Sequence, residues 1–138
     1  MALSDLQSVV QFIFLGKGVG EHHWILLHTE GGLGSFIFHS VRFLFSVNNA
    51  GVGCVGVLEC MPMDQVKQLF EVNFFGALRL IQAVLPGMKA RESGYIVNVS
   101  SMAGELGGPF NDIYCASKFA LGGLTESLAP VLRQFKIK

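Results

Sequence analysis

Residues 41 to 51 read V-R-F-L-F-S-V-N-N-A-G, a largely apolar run that stops at a turn. Seven residues without alternation are strand-length, and a strand that is apolar on both faces belongs inside a parallel sheet. N-N-A-G then breaks the chain sharply. V-G-C-V-G-V-L-E-C-M-P follows as a glycine-rich loop. From Asp64 the period changes to that of a helix, with Val66, Leu69, Phe70, Asn73, Phe74, Ala77, Leu78 and Ile81 on one face. Asp64 suits the positive end of a first turn. The pattern runs to about Met88 or Ala90, although Pro86 should end or kink it.

Ser93 and Gly94 make a turn, and Y-I-V-N-V-S-S at 95 to 101 reads as a second buried strand. After the loop A-G-E-L-G-G-P, a long helix is expected from about Asp112, carrying Ala116, Phe119, Ala120, Gly123, Leu124, Leu128 and Leu132. Strand, helix, strand, helix implies an α/β fold on a parallel sheet. The first 46 residues resist this parsing: they are apolar and glycine-rich, with no clear alternation or amphipathic helix.

The composition excludes several classes of function. Lys plus Arg is 10 and Asp plus Glu is 10 in 138 residues, so no basic surface invites nucleic acid. Half the residues are apolar, enough for a core, and the charged fraction of 14% warns of poor solubility unless partners cover the surface. Three cysteines (Cys54, Cys60, Cys115) without a C-x-x-C argue against a disulfide framework and for a reducing compartment. No unbroken apolar run reaches the roughly 18 residues of a membrane span. His22, His23, His28 and His39 have no accompanying carboxylates, so no metal site is expected. G-K-G-V-G at 16 to 20 and G-G-L-G at 31 to 34 are loop glycines in this reading, because neither joins a strand to a helix opening.

The chemistry concentrates downstream. Tyr114 stands four residues before Lys118, so in a helix the phenol and the ammonium share a face. A cation beside a phenol favours the phenolate and makes it usable in acid-base work. In an open α/β sheet, ligands bind beyond the carboxyl ends of the strands. That edge gathers N-N-A-G, Ser100, Ser101 and the first turn of the Tyr114 helix. Asn73, on an otherwise apolar helix face, needs hydrogen-bond partners if it is buried.

These residues resemble the short-chain dehydrogenases/reductases. The resemblance rests on N-N-A-G at 48 to 51, Asn73 in V-N-F-F-G, the serine of N-V-S-S, and Y-C-A-S-K at 114 to 118, with Ser101 thirteen residues before Tyr114. G-P-F-N-D-I-Y-C-A-S-K-F-A-L and V-N-N-A-G-V-G are most similar to the branch of 17β-hydroxysteroid and photoreceptor retinol dehydrogenases. The resemblance implies an NAD(P)-dependent enzyme that interconverts an alcohol and its carbonyl on a steroid or retinoid, with NADP(H) preferred and NAD(H) as the variant. It implies Tyr114 as general acid-base and Lys118 as the cation that tunes it and binds the nicotinamide ribose. Ser101 would hold the substrate oxygen, and Asn73 a water leading from the lysine. Asn48, Asn49, Ala50 and Gly51 would border the cofactor. A cytoplasmic homodimer built through the Asn73 and Tyr114 helices is also implied, with peripheral membrane association as a trait of the retinol branch.

The sequence departs from the family at both ends, since the family's later strands and substrate-covering helices would be expected after Lys138. The opening motif T-G-x-x-x-G-x-G is absent, and 46 residues cannot supply the βα units that should precede N-N-A-G when one βαβ unit takes about 30. The expected organisation is an atypical leader at 1 to 46 and the central part of a dehydrogenase domain at 47 to 138, a partial, Rossmann-like, doubly wound sheet. Its two-strand core should have unpaired edges and uncovered apolar faces. The alternative function is that of a non-catalytic piece that pairs with a full-length subunit or has no role.

Overall fold

The computed structural model describes residues 10–17, 21–28 and 43–138. Among the described residues, four strands form one sheet in the order β2-β1-β3-β4. They are β1 (Val10–Lys17), β2 (Glu21–His28), β3 (Phe43–Asn48) and β4 (Tyr95–Asn98). β3 and β4 run parallel, with Ser46 beside Ile96 and Asn48 beside Asn98. The polypeptide between them is helical: α1 (Met63–Phe70), a π-turn (Glu71–Phe75) and α2 (Gly76–Arg91) make one helix of 29 residues. α3 (Asp112–Arg133) follows β4. After α3 the chain returns alongside β4, where Lys138 donates its N–H to the Gly94 carbonyl and accepts from the Ile96 N–H. The expected strand-helix-strand-helix core is therefore present.

The leader departs from expectation. β1 and β2 pair antiparallel, and β1 lies antiparallel against β3 with Phe12 beside Val47 and Ile13 beside Ser46. The expected two-strand core is thus a four-strand mixed sheet, and the edge of β3 away from β4 is paired. Runs such as V-Q-F-I-F-L and W-I-L-L lack the period of two that marks a half-buried strand, which is why the hairpin escapes a reading of pattern alone. The glycine cluster at 31–34 and His39 lie outside the described residues.

The helices cover one face of the parallel pair. Ser46, Asn48 and Ile96 point toward them; Phe45, Tyr95 and Val97 point away and are exposed. The main core cluster joins Leu80, Val84 and Met88 of α2 to Leu132 and Ile137, with Ile96 and Leu128 packed against it. Each such side chain contributes about 1.5–3 kcal/mol when fully buried. Leu69, Asn73, Ala77, Leu80, Ile81, Val84 and Met88 recur every three or four residues along the long helix, so its apolar stripe is core even though its length and composition would let it cross a bilayer. Pro86 does not end α2, which continues to Arg91 and stops at Glu92 in a left-handed conformation (φ 49°). The carbonyl that Pro86 leaves without an N–H partner belongs to exposed Gln82, where water can serve it.

Candidate active site

The carboxyl ends of β3 and β4 carry the site. At β3, Asn48 is buried (2% exposed) and its amide donates to the Asn98 side chain at 2.6 Å. Asn98 in turn donates to the Thr125 hydroxyl of α3 at 2.8 Å. Asn48 thus braces the two parallel strands from inside. Asn49 and Gly51 are exposed at the edge, and Ala50 is buried.

Asn73 is 1% exposed and sits in the π-turn. Inserting a residue into the helix rotates this side chain toward the sheet edge, and such turns are frequent at functional sites. Its Oδ1 accepts from the Val52 N–H at 2.8 Å, and its Nδ2 donates to the Val52 carbonyl at 2.9 Å and to the Ser117 hydroxyl at 3.0 Å. The partners that a buried asparagine needs are all protein atoms.

Lys118 is 3% exposed, and its Nζ donates to the Val99 carbonyl at 3.1 Å. The amine lies 5.8 Å from the centre of the Tyr114 ring, one turn earlier in α3. Burial disfavours the ammonium and pulls the Lys118 pKa below its ordinary value. At Gly51 a Cβ would come within 3.3 Å of Nζ and 3.6 Å of Asn73 Oδ1, so the glycine leaves the amine approachable from the edge. Gly51, Asn73, Tyr114 and Lys118 are therefore brought together.

Ser101 caps a short turn (Met102–Gly104), where its hydroxyl accepts from the Ala103 N–H at 3.2 Å. That turn packs on α3 at the lysine: a Cβ on Gly104 would sit 3.2 Å from the Lys118 carbonyl and would collide with Ser100 Oγ. The two loops that frame the edge are clipped together by the Gly56 N–H donating to the Phe110 carbonyl at 2.9 Å. Large apolar side chains stand exposed on both: Val55, Val57 and Leu58 on one, Met102, Leu106 and Phe110 on the other.

The stretch that carries these residues is similar to known proteins. The sequence profile of the short chain dehydrogenases matches residues 37–138. The chain belongs to the short-chain dehydrogenase family. It is 57% identical over 91 residues to retinol dehydrogenase 8 of Homo sapiens, covering 66% of this chain and 29% of that protein. Identity to human 17-beta-hydroxysteroid dehydrogenase type 1 is 50% over 91 residues, 66% of this chain and 28% of that one. Among solved structures, a short-chain dehydrogenase from Streptomyces avermitilis superposes with a TM-score of 0.68 at 42% identity, over 70% of this chain and 36% of that one. A metagenomic short-chain oxidoreductase in complex with NADP gives 0.68 at 39% identity, over 70% and 44%. The chain spans less than a third of the two curated relatives' length.

Ser117, the Val99 carbonyl, Asn98 and Thr125 join this network without having stood out in the sequence. Only Ser117 carried a signal: a serine three residues after Tyr114 can return its hydroxyl to the helix backbone.

Proposed function

We propose that this chain carries the acid-base half of an oxidoreductase site that interconverts an alcohol and its carbonyl with NADP(H), or NAD(H) as the variant. The observation that carries the reading is the buried Lys118 amine, one turn from Tyr114, facing a glycine at the open edge of the sheet. When bound, the cofactor supplies or accepts the hydride. In reduction the Tyr114 phenol gives its proton to the substrate carbonyl oxygen; in oxidation it takes the alcohol proton. The Ser101 hydroxyl already accepts from Ala103, so its own proton is free to donate to the same oxygen and stabilise developing charge there. Lys118 spends one donor on Val99 and has two for ribose hydroxyls beside Gly51. Asn49, Ala50 and Gly51 border that end, with Asn48 bracing the strand behind them. The Asn73 side chain is engaged three times, so a water leading from the lysine would be held by the widened backbone of the π-turn instead.

The residues fit the nicotinamide-ribose end of the cofactor. The pyrophosphate end has no counterpart among the described residues, because every helix follows β3 and none opens behind a glycine turn to receive phosphate. The exposed apolar rim on both loops, and the names of the two human relatives, support a large apolar alcohol, steroid or retinoid, as substrate. A cytoplasmic location with peripheral membrane contact, where such alcohols partition, accompanies this reading.

Titrating NADPH into the purified chain and following its fluorescence tests the proposal. Saturation in the micromolar range, about −8 kcal/mol, that is lost in Lys118→Ala supports it. A folded chain that shows no saturation defeats it.

A second reading concerns partners. Phe75 and Phe119 are exposed on the long helix and α3, and Gly122 and Gly123 have open space where a side chain would stand. These helices would pair with a second copy or with a full-length family member, in which case the chain acts as a non-catalytic subunit. Co-expression with a full-length homologue, with and without Phe119→Asp, checks this by pull-down: capture that the aspartate leaves intact counts against it.

A further inference from the structure

The reaction proposed above uses Tyr114, Lys118, Ser101 and Asn73, but the geometry contains a link that none of these explains. Ser117 is wholly buried (0% exposed). Its hydroxyl has one proton and two lone pairs. The proton goes to the Tyr114 carbonyl at 2.7 Å, and a lone pair receives Asn73 Nδ2 at 3.0 Å. Because its proton is committed to Tyr114, Ser117 presents only an acceptor to Asn73. Together with the Val52 N–H and carbonyl, this acceptor turns the Asn73 nitrogen toward Ser117 and its oxygen toward the Val52 N–H. The flipped amide would set Oδ1 against a lone pair and Nδ2 against an N–H.

The bonds close a ring. Val52 follows Gly51, the glycine that abuts the Lys118 amine. Val52 is held at both backbone groups by Asn73, Asn73 is held by Ser117, and Ser117 is covalently joined to Lys118. The loop on the cofactor side and the lysine are thereby linked through the Ser117 hydroxyl. Resting on the site assignment made under the proposed function, we infer that Ser117 is a positioning residue: its hydroxyl sets the Asn73 amide and so holds the Gly51–Val52 turn against the Lys118 amine.

The test separates position from mere packing. Four forms are compared: wild type, Ser117→Ala, and the near-isosteric pair Ser117→Thr and Ser117→Val, of which only threonine keeps a hydroxyl. The readout is the titration of Lys118, followed by NMR of its ε-carbon and assigned by its loss in Lys118→Met. Without the hydroxyl the Gly51–Val52 turn loosens and water reaches the amine, so Ser117→Ala and Ser117→Val titrate at higher pH than wild type, toward an ordinary lysine. Ser117→Thr stays with wild type. A role in packing alone would lower the melting temperature of Ser117→Ala and leave its Lys118 titration unmoved, which overturns the inference. If the added methyl of the threonine and valine forms unfolds both, Ser117→Ala against wild type decides alone. No cofactor is needed. A chain that binds no NADPH but shows the Ser117 effect would lose the cofactor reading and keep this one.

Discussion

At the scale of single residues, Lys118 has the strongest consequence. Its pKa is lowered from 10.5 by burial, so the folded state binds its proton less tightly than the unfolded chain does. Below the folded pKa the full cost of burying the ammonium is present. It is relieved as pH rises through that value, and is gone above 10.5. Wild type should therefore gain stability relative to Lys118→Met between neutrality and pH 10.5, whatever their difference at pH 7. Urea midpoints of both at several pH values measure it, and parallel curves would contradict the assigned burial. Phe110 is a second case. It adopts φ 64°, a left-handed conformation that costs a residue with a Cβ roughly 1–2 kcal/mol. Glycine adopts it freely but loses more entropy on folding, so Phe110→Gly should stabilise by up to about 1 kcal/mol. Thermal melts would show a rise of a few degrees, and a fall would mean that the Phe110 ring contributes more than its exposed position suggests.

At the scale of elements, the hairpin is the part that must be weighed. β1 lies between β2 and β3, so the N–H of each of its residues faces one neighbour or the other. Ile13, opposite both Ile25 and Ser46, is at its middle. Ile13→Pro removes one ladder bond and cannot follow the strand comfortably, a loss of about 3 kcal/mol or more. The expected result is a lower urea midpoint, with exchange protection lost first at Ser46 and Val47. An unchanged midpoint would mean that the hairpin lies outside the cooperative unit. The long helix poses the opposite case. Its π-turn is an irregularity inside an otherwise continuous element, and from it the Asn73 side chain is bound to a loop twenty-one residues away.

At the scale of the molecule, one face of the parallel pair carries no covering helix among the described residues. Parallel sheets are ordinarily covered on both sides. Here Phe45 and Tyr95 stack at 4.5 Å in the open, beside Val97 and Val99, with the Lys138 amine 5.5 Å from the Tyr95 ring. An apolar strip of this kind should bind the dye anilinonaphthalene sulfonate in the folded state and promote association as concentration rises. Val97→Lys places a charge at its centre without touching the helix-covered core. Dye fluorescence and the concentration dependence seen by light scattering should both fall, and if neither does, the strip is not what the dye reports.

The sequence alone determined the half of the fold in which local pattern and function coincide. The switch from an unbroken apolar run to a period of 3.6 fixed β3 and the long helix, and the spacing of Tyr114 and Lys118 put both on one face of α3, because these are properties of neighbours along the chain. It also placed Asn73 on the buried stripe, since helical period is enough for that. Which atoms Asn73 meets was not legible. Val52 and Ser117 lie twenty-one and forty-four residues away, and only packing of the π-turn against a loop and α3 brings them together. The hairpin was hidden for a related reason: an apolar run without alternation is compatible with several structures, and pairing with β3, a contact between distant residues, selects one. Burial of the Lys118 amine was likewise decided by the tertiary structure, because desolvation depends on what closes over a side chain and not on what precedes it.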